Sequence, residues 1–348
     1  MSKFVQFHLL TSYGLSNPNR DDQGRPKQAM IGGVPRLRLS SQSVKRAIRE
    51  SDFFKIGLAG HIGVRSKCFY DKIYEHLTQK GIENTKANEI SLLVAGAFGS
   101  LSSNKKDPTK LGALAFLSRE EMDRAIEAAE HESLLDSRSK SIDEEKVMLT
   151  VDGAVDIAMF GRMMAKTPRF NRDAAIQVSH AITTHRAQSE EDWFAAVDDL
   201  NSVGGGHLDE AYFGSGIYYQ YACLDCNTLV KNLGGDIDLA VRGAEAFTRA
   251  IAMATPKGKQ NSFANRPRAH YILVEAGEQM PRDLSGAFFT PVSGGALLED
   301  SVKILEKTRR EIDVAYDLHP EDSRVMHVGQ GGTLAEIVDL VTSSVRSA

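Results

Sequence analysis

Residues 36–49 read Arg-Leu-Arg-Leu-Ser-Ser-Gln-Ser-Val-Lys-Arg-Ala-Ile-Arg, and the hydrophobic period changes inside them. Arg36-Leu37-Arg38-Leu39 alternates basic and apolar residues, which on a strand places both arginines on one face. Ser40-Ser41 then supply the hydroxyl of a helix N-cap, and Val44, Ala47 and Ile48 mark the buried side of a helix running toward Phe53. Lys45 and Arg49 are four apart and share a face of that helix, with Arg46 beside them. The amides that open a helix, backed by its dipole, accept anions readily. A basic strand face, a Ser-Ser-Gln helix start and a basic helix face therefore follow one another, and a phosphate backbone suits all three.

The charge distribution points the same way. The chain carries 42 Lys and Arg against 46 Asp and Glu, a net charge of −4, which by itself argues against a nucleic-acid binder. Between Arg20 and Arg49, however, eight basic residues (Arg20, Arg25, Lys27, Arg36, Arg38, Lys45, Arg46, Arg49) face two acidic ones, Asp21 and Asp22. That tract carries +6, so the rest of the chain carries −10. A basic stretch on an acidic body is the footprint of a local phosphate-binding surface, although a solvated charged face has the same composition.

The 348 residues, 42% of them apolar, suffice for one large or two smaller cores. No apolar run is long enough to span a membrane, and Met1-Ser2-Lys3 leads straight into a strand-like segment with no secretory signal. Three cysteines form no disulfide framework, so a reducing cytoplasm is the expected location.

Strands are expected at Phe4–Leu10, Arg36–Leu39, Val151–Phe160, Gln177–Thr184, Ile217–Cys223 and His270–Glu275. A loop rich in Asn, Asp, Gly and Pro covers Ser16–Pro35. Residues 70–147 read as mostly helical, with Glu120–His131 the clearest case. Further helices are expected over about 190–200, 237–254, 296–314 and 333–345, with Gly204-Gly205-Gly206 as a stop. Strands separated by helical segments imply an α+β fold, with helical and loop insertions on one central sheet.

Catalytic constellations are sparse. Cys223-Leu-Asp-Cys226 is a lone CxxC at a strand end, with no second pair for zinc and no helix start to favour a thiolate. His180 and His185 are five apart and diverge on either a strand or a helix. Asp21-Asp22, Asp152 with Asp156, and Asp198-Asp199 are carboxylate pairs that a metal nuclease uses, and equally caps, turns or solvated faces. Gly214-Ser-Gly216 is too short for a dinucleotide fingerprint. Neither a metal nor a cofactor is expected.

Two apolar pairs stand out. Met163-Met164 follows Gly161-Arg162 in a polar stretch, and Trp193-Phe194 sits early in the helix expected near 190–200. Trp193, Val197 and Leu200 form an amphipathic stripe that makes Trp193 a core residue, while Phe194 lies about 100° away from it. An aromatic ring or a thioether placed outside the core can stack on an unpaired base.

The blocks Asn19-Arg20-Asp21-Asp22, Gly32-Gly33 and Arg36 through Ala47 resemble the N-terminus of the CasC family, the backbone subunit of type I-E CRISPR Cascade. Asp156 through Met163, Ser179 through His185, Asp192-Trp193-Phe194, Ala196 through Leu200, Asn232 through Gly235 and Gly258-Lys259-Gln260 resemble it too. The resemblance runs from residue 4 to about 290 and is weaker in the helical middle and the last sixty residues.

It implies a non-catalytic, cytoplasmic protein that coats guide RNA (crRNA), stacks with further copies of itself, contacts other Cascade subunits and presents the guide for pairing with target DNA. The implied fold is an RRM-like (ferredoxin-like) palm over 1–60, 148–185 and 217–348, with helical fingers over 61–147 and a thumb over 186–216. Guide-backbone contacts fall on Arg20, Lys27, Arg38, Ser40, Gln42, Lys45, Arg46 and Arg49. The base-displacing role falls on Met163 and Phe194, with Trp193 in support. Met164 through Arg169 departs from the family pattern. A stand-alone single-stranded RNA-binding protein and a metal-dependent RNA-processing nuclease remain as alternatives.

Overall fold

The computed structural model describes residues 3–137, 139–197 and 205–348. Its strands are β1 (Phe4–Ser16), β2 (Gln28–Ile31), β3 (Val34–Leu39), β4 (Val64–Ser66), β5 (Ala115–Leu117), β6 (Ile176–Val178), β7 (Ala181–Thr183), β8 (Glu190–Val197), β9 (Gly205–Asp225), β10 (Ala269–Gly277) and β11 (Asp322–His327). The chain divides into two units. One gathers Met1–Lys55, Gln177–Cys226 and Ala244–Ala348; the other gathers Ile56–Ile176 and Asn227–Gly243. The architecture is mixed helix and strand, dominated by a large antiparallel sheet.

In the first unit the sheet runs in the order β11-β10-β1-β9-β7-β3-β2, with β6 and β8 also paired to β9. β1 lies at its centre, antiparallel to β10 and to β9. Its residues Val5 through Leu10 are all buried, so both faces of the sheet are covered. Phe7 packs edge-on against Phe247 of the helix Ile237–Met253, with ring centroids 5.5 Å apart. On the other face Leu10, Tyr219, Tyr271 and Leu273 pack with Phe288, Val302 and Leu305, the last two from the helix Leu297–Ala315.

Gln6 and His8, the polar residues within Val5–Leu10, belong to this second covered face. A buried network engages them. Gln6 Oε1 accepts the Tyr221 hydroxyl at 3.0 Å and the Arg282 amide at 2.6 Å. The Tyr219 hydroxyl accepts the Leu284 amide and therefore gives its own proton to His8 Nδ1, 3.0 Å away. Glu275, fully buried, holds Arg282 at 2.9 Å and Arg309 at 2.8 Å, with His8 Nε2 3.5 Å away. Asp313 closes the cluster onto Arg282 at 2.5 Å. These contacts tie the 279–284 connection and the helix Leu297–Ala315 to the sheet.

In the second unit the helices Phe69–Gln79, Asn84–Ala95 and Arg119–Ser133 pack around Ile73, Leu77, Val94, Phe98, Ala125 and Ala129, beside the β4–β5 pair. Arg162 and Glu121, both fully buried, pair at 2.7 Å. Arg162 also donates to Phe170 O and Leu149 O, so its charge is compensated on several sides. Among the described residues no helix is long and apolar enough to cross a membrane.

Several local expectations give way. Val151–Phe160 is a turn followed by the helix Val155–Phe160, not a strand. Asp152 accepts the Ala154 amide and pairs with Arg172, which turns the chain before the helix begins. Gln177–Thr184 is two short strands, β6 and β7, broken at Ser179-His180. The segment expected as a helix from about 190 is the strand β8, paired with β9 from Phe213 back to Gly205, with a register shift between Ala196 and Val197. Cross-strand pairing there overrides a helix-like spacing of apolar residues; Leu200 and Gly204 lie outside the described residues. Cys226 is the first residue of the helix Cys226–Asn232, not the end of a strand.

Burial alone would raise the Glu275 pKa, but hydrogen bonds from His8 and Arg282 and the charge of Arg309 outweigh it and hold the pKa at about 2. A carboxylate depressed in the folded state stabilises above its unfolded pKa and loses that contribution as the pH falls toward the folded value. Glu275→Gln should therefore cost ~3–5 kcal/mol near neutral pH by removing the buried carboxylate that Arg282 and Arg309 share and leaving Asp313 to compensate both. Urea unfolding at a series of pH values should show the gap between wild type and variant closing below about pH 4.5.

Candidate nucleic-acid interface

The basic tract is assembled by backbone hydrogen bonds before any side chain is considered. The Lys27 amide donates to Asn19 O at 3.0 Å, and the Arg38 amide donates to Lys27 O at 2.8 Å. Arg20 and Pro26 form an isolated antiparallel bridge, closing the loop between them. Asp21 spends one carboxylate oxygen on the Gln23 and Arg25 amides, which marks it as a turn residue. Asn19 Oδ1 accepts the Ser40 amide at 2.7 Å. Arg20, Lys27, Arg38 and Ser40 are thereby drawn to one end of the helix that follows.

That helix spans Ser41–Arg49, with Ser40 as N-cap accepting the Ser43 amide through its hydroxyl. It stops at Arg49 and does not run on to Phe53; a separate turn covers Asp52–Lys55. Val44, Ala47 and Ile48 are buried, which turns Gln42 and Arg46 to solvent and leaves Lys45 and Arg49 half-buried. Burial lowers the Lys45 pKa, so its ammonium is incompletely solvated and gains from an anion brought to it. Arg46 pairs with Glu50 at 2.7 Å and has less charge to offer.

Two expectations about this region are corrected. Arg36 does not share an exposed face with Arg38. It is fully buried and donates to Thr183 O and Phe288 O, each at 2.7 Å. Two of the helix's first three amides are also already taken: Ser41 N–H donates to His180 Nδ1 at 2.9 Å, and Ser43 N–H to Ser40 Oγ. Anion binding therefore rests mainly on the side chains.

His180, weighed in the sequence only as a metal ligand, is the main residue that sequence reasoning missed. Because Nδ1 accepts the Ser41 amide, the ring proton sits on Nε2. Arg38 Nη1 lies 3.5 Å from the same nitrogen. Burial and the charges of Arg38 and Lys27 all lower the His180 pKa, so the ring is held neutral beside two cations. His185 is structural: its Nε2 accepts the Ile217 amide and its Nδ1 donates to Arg186 O.

Trp193 and Phe194 lie on β8 opposite Glu210 and Asp209 of β9. They are 67% and 44% exposed, so neither is a core residue. Successive residues of a strand face opposite sides, which puts one aromatic ring on each face of the β8–β9 ribbon. In the second unit Met163 is 81% exposed while Met164 is 4% exposed. Arg162 and Arg172 exchange both backbone hydrogen bonds, and Met164 N–H donates to Asn171 Oδ1, so Met163 projects from a braced turn.

Most of the other catalytic candidates resolve into structure. Cys223 and Cys226 are buried, and burial raises both thiols to about 12, far from a reactive thiolate. Asp152 is paired with Arg172, and Asp156 is buried and accepts the Gly63 amide. Asp198 and Asp199 lie outside the described residues. Among the described residues no cluster of three His, Cys, Asp or Glu side chains could hold a metal. Gly214 and Gly216 lie within β9, where a Cβ would meet Leu37 Cδ1 at 2.5 Å and Thr183 Cγ2 at 2.8 Å; they permit close packing.

The sequence profile of a family described as CT1975-like protein matches residues 5–342. No curated protein sequence matches the chain. Among solved structures, a chain described as "CRISPR RNA-guided surveillance complex, pre-nicking" is similar with a TM-score of 0.84 and 27% identity, over 98% of this chain and 100% of that one. A second, described as "CRISPR RNA-guided surveillance complex", is similar in fold with a TM-score of 0.74 and 22% identity, over 99% and 100%.

His180→Ala should leave the first helical amide without its acceptor and cost ~1 kcal/mol, as loss of an N-cap does. A histidine whose folded pKa is lowered contributes its stability above its unfolded pKa and loses it as the pH falls. Denaturant unfolding should therefore show the difference between wild type and variant shrinking below about pH 6.5.

Proposed function

The chain belongs to the CT1975-like protein family, and we propose from that premise that it is the guide-coating backbone subunit of a type I-E CRISPR Cascade complex. It binds crRNA, stacks with further copies of itself and with other Cascade subunits in the cytoplasm, and offers the guide to target DNA. It performs no catalysis of its own. The β1–β10 sheet and its helices act as an RRM-like palm, residues 61–147 as helical fingers and 186–216 as a thumb.

The observation that carries this reading is the row of cations along one loop, strand and helix. Arg20, Lys27, Arg38, Lys45 and Arg49 follow one another there, with Ser40, Gln42 and Arg46 among them. A subunit that must accept guides of any sequence holds phosphates and sugars, because contacts to base edges would restrict which guides load. Sequence is then read by guide–target pairing. Gln42 at the exposed helix start and the neutral His180 add hydrogen-bonding capacity without adding charge. Phe194, with Trp193 in support, and Met163 present exposed apolar tips suited to displacing or stacking on a base.

Lys45→Ala with Arg49→Ala should weaken binding of unrelated single-stranded RNAs to about the same degree. It should also lower the slope of log affinity against log salt by roughly 0.7 for each phosphate no longer neutralised. Fluorescence anisotropy on two unrelated RNAs measures both; a loss confined to one sequence would mean that these residues read bases. Phe194→Ala should leave the melting temperature of the free subunit within about 1 °C, because the ring is exposed, while assembled guide loses its periodic hyper-reactivity to base-specific chemical probes. A large drop in melting temperature, of the kind that follows loss of ~3–5 kcal/mol of core packing, would place the ring in the core.

A further inference from the structure

The connection between the helix Ile237–Met253 and β10 is braced more firmly than a linker requires. Gly258 lies so close to Pro18 that a Cβ would come within 2.4 Å of its carbonyl oxygen. The Phe263 ring packs 6.1 Å from that of Phe213, and Asn265 donates to Gly14 O at 3.2 Å. Between these anchors a single turn, Gln260–Phe263, is bracketed by Lys259 and Ala264, both in the left-handed region with φ of 49° and 51°. Side chains disfavour that region, and surroundings must over-determine a backbone that stays there.

The braced segment forms one wall of a cleft of about 710 Å³, whose other wall, Glu50 through Phe53, begins where the basic helix ends. The volume lies within the roughly 300–1,000 Å³ typical of small-molecule sites. Lys257, Lys259 and Arg266 line it and are exposed, and none of them pairs with a carboxylate among the described residues. Glu50, facing them, pairs with Arg46 at 2.7 Å and also feels the charge of Lys257. Gln260 also lines the cleft, and its Nε2 is buried with no acceptor. Three unpaired cations and an unused amide donor, all set on fixed backbone, suit a phosphate with hydrogen-bond acceptors beside it.

We propose that this cleft holds one nucleotide of single-stranded RNA, with its phosphate on Lys257, Lys259 and Arg266 and an acceptor oxygen on Gln260. The assignment rests on the RNA-binding role proposed above and extends the phosphate track beyond the last turn of the helix Ser41–Arg49. The mixed wall, with Asp52 opposite the cations, suits a sugar hydroxyl as donor, a group that DNA lacks.

The test uses the full chain and unstructured RNAs of two unrelated sequences, with the matching DNAs. Lys259→Ala with Arg266→Ala should weaken RNA binding roughly tenfold and lower the salt slope by roughly 0.7, the share of the one phosphate that the cleft holds. Gln260→Ala should weaken binding without changing that slope. Lys303→Ala with Lys307→Ala, exposed on another helix, controls for general loss of charge. Melting temperatures within about a degree of wild type, as expected for exposed side chains, show that each variant folds. If the cleft variant binds like the control while Lys45→Ala with Arg49→Ala loses binding, the cleft assignment is overturned and the proposed function stands. Should neither variant lose binding, both fall. Unchanged RNA binding with impaired self-association would make the cleft a seat for an acidic segment of another subunit and would likewise overturn the assignment.

Discussion

Arg36 spends both terminal guanidinium nitrogens on carbonyl oxygens, those of Thr183 and Phe288, and reaches no solvent. Those two bonds fasten β3 to the end of β7 and to the turn Ser285–Phe288. A second fastening runs beside it: the Leu37 amide donates to the Thr183 hydroxyl, which donates in turn to His185 O. A buried guanidinium with carbonyl partners and no carboxylate is costly to desolvate, and leaving either carbonyl unpaired would cost ~1–3 kcal/mol. The position of β3 is therefore sharply defined. Everything outward of it inherits that definition: Arg38 two residues on, Ser40 at the cap, and the helix carrying Lys45 and Arg49.

The tract thus divides its charges between two tasks. One arginine is used up inside the fold, and one, Arg46, is partly neutralised by Glu50. Arg25 lies 3.8 Å from Glu191 and over the Tyr212 ring, and the remainder reaches the surface of a chain whose overall charge is −4. Concentrating positive charge on a small area while the body stays acidic favours attraction of a polyanion at one face and repulsion elsewhere, which limits indiscriminate aggregation around nucleic acid.

What the sequence made legible was local. The strand-to-helix change at Ser40 could be read because a cap hydroxyl and two short periodicities lie within fourteen residues of each other, and the helix Ser41–Arg49 follows. The large helices Ile237–Met253 and Leu297–Ala315 were equally plain from their spacing. What escaped was decided at a distance. The turn at Asp152 depends on Arg172, twenty residues on, and the strand at 190–197 exists because 205–213 pairs with it. The role of His180 depends on a helix that begins 139 residues earlier in the chain. Gln6 and His8 alternate with apolar residues as if facing water, yet a second layer covers them and answers each polar side chain with a partner such as Tyr219 or Tyr221.

β9 is 21 residues long and is one uninterrupted strand from its pairing with β8 to the middle of the sheet. Its outer part pairs with Trp193 and Phe194, and its inner part with β1, where the register shifts between Tyr13 and Ser16 opposite Gly214 and Gly216. At about 3.4 Å per residue, the backbone opposite Phe194 stands roughly 17 Å out from Gly214. That span contains no hinge loop, only paired strand, so it acts as a ruler. The distance from the sheet to the aromatic tips is set by covalent geometry, and repetition of the chain would repeat that same length without any separate measuring device.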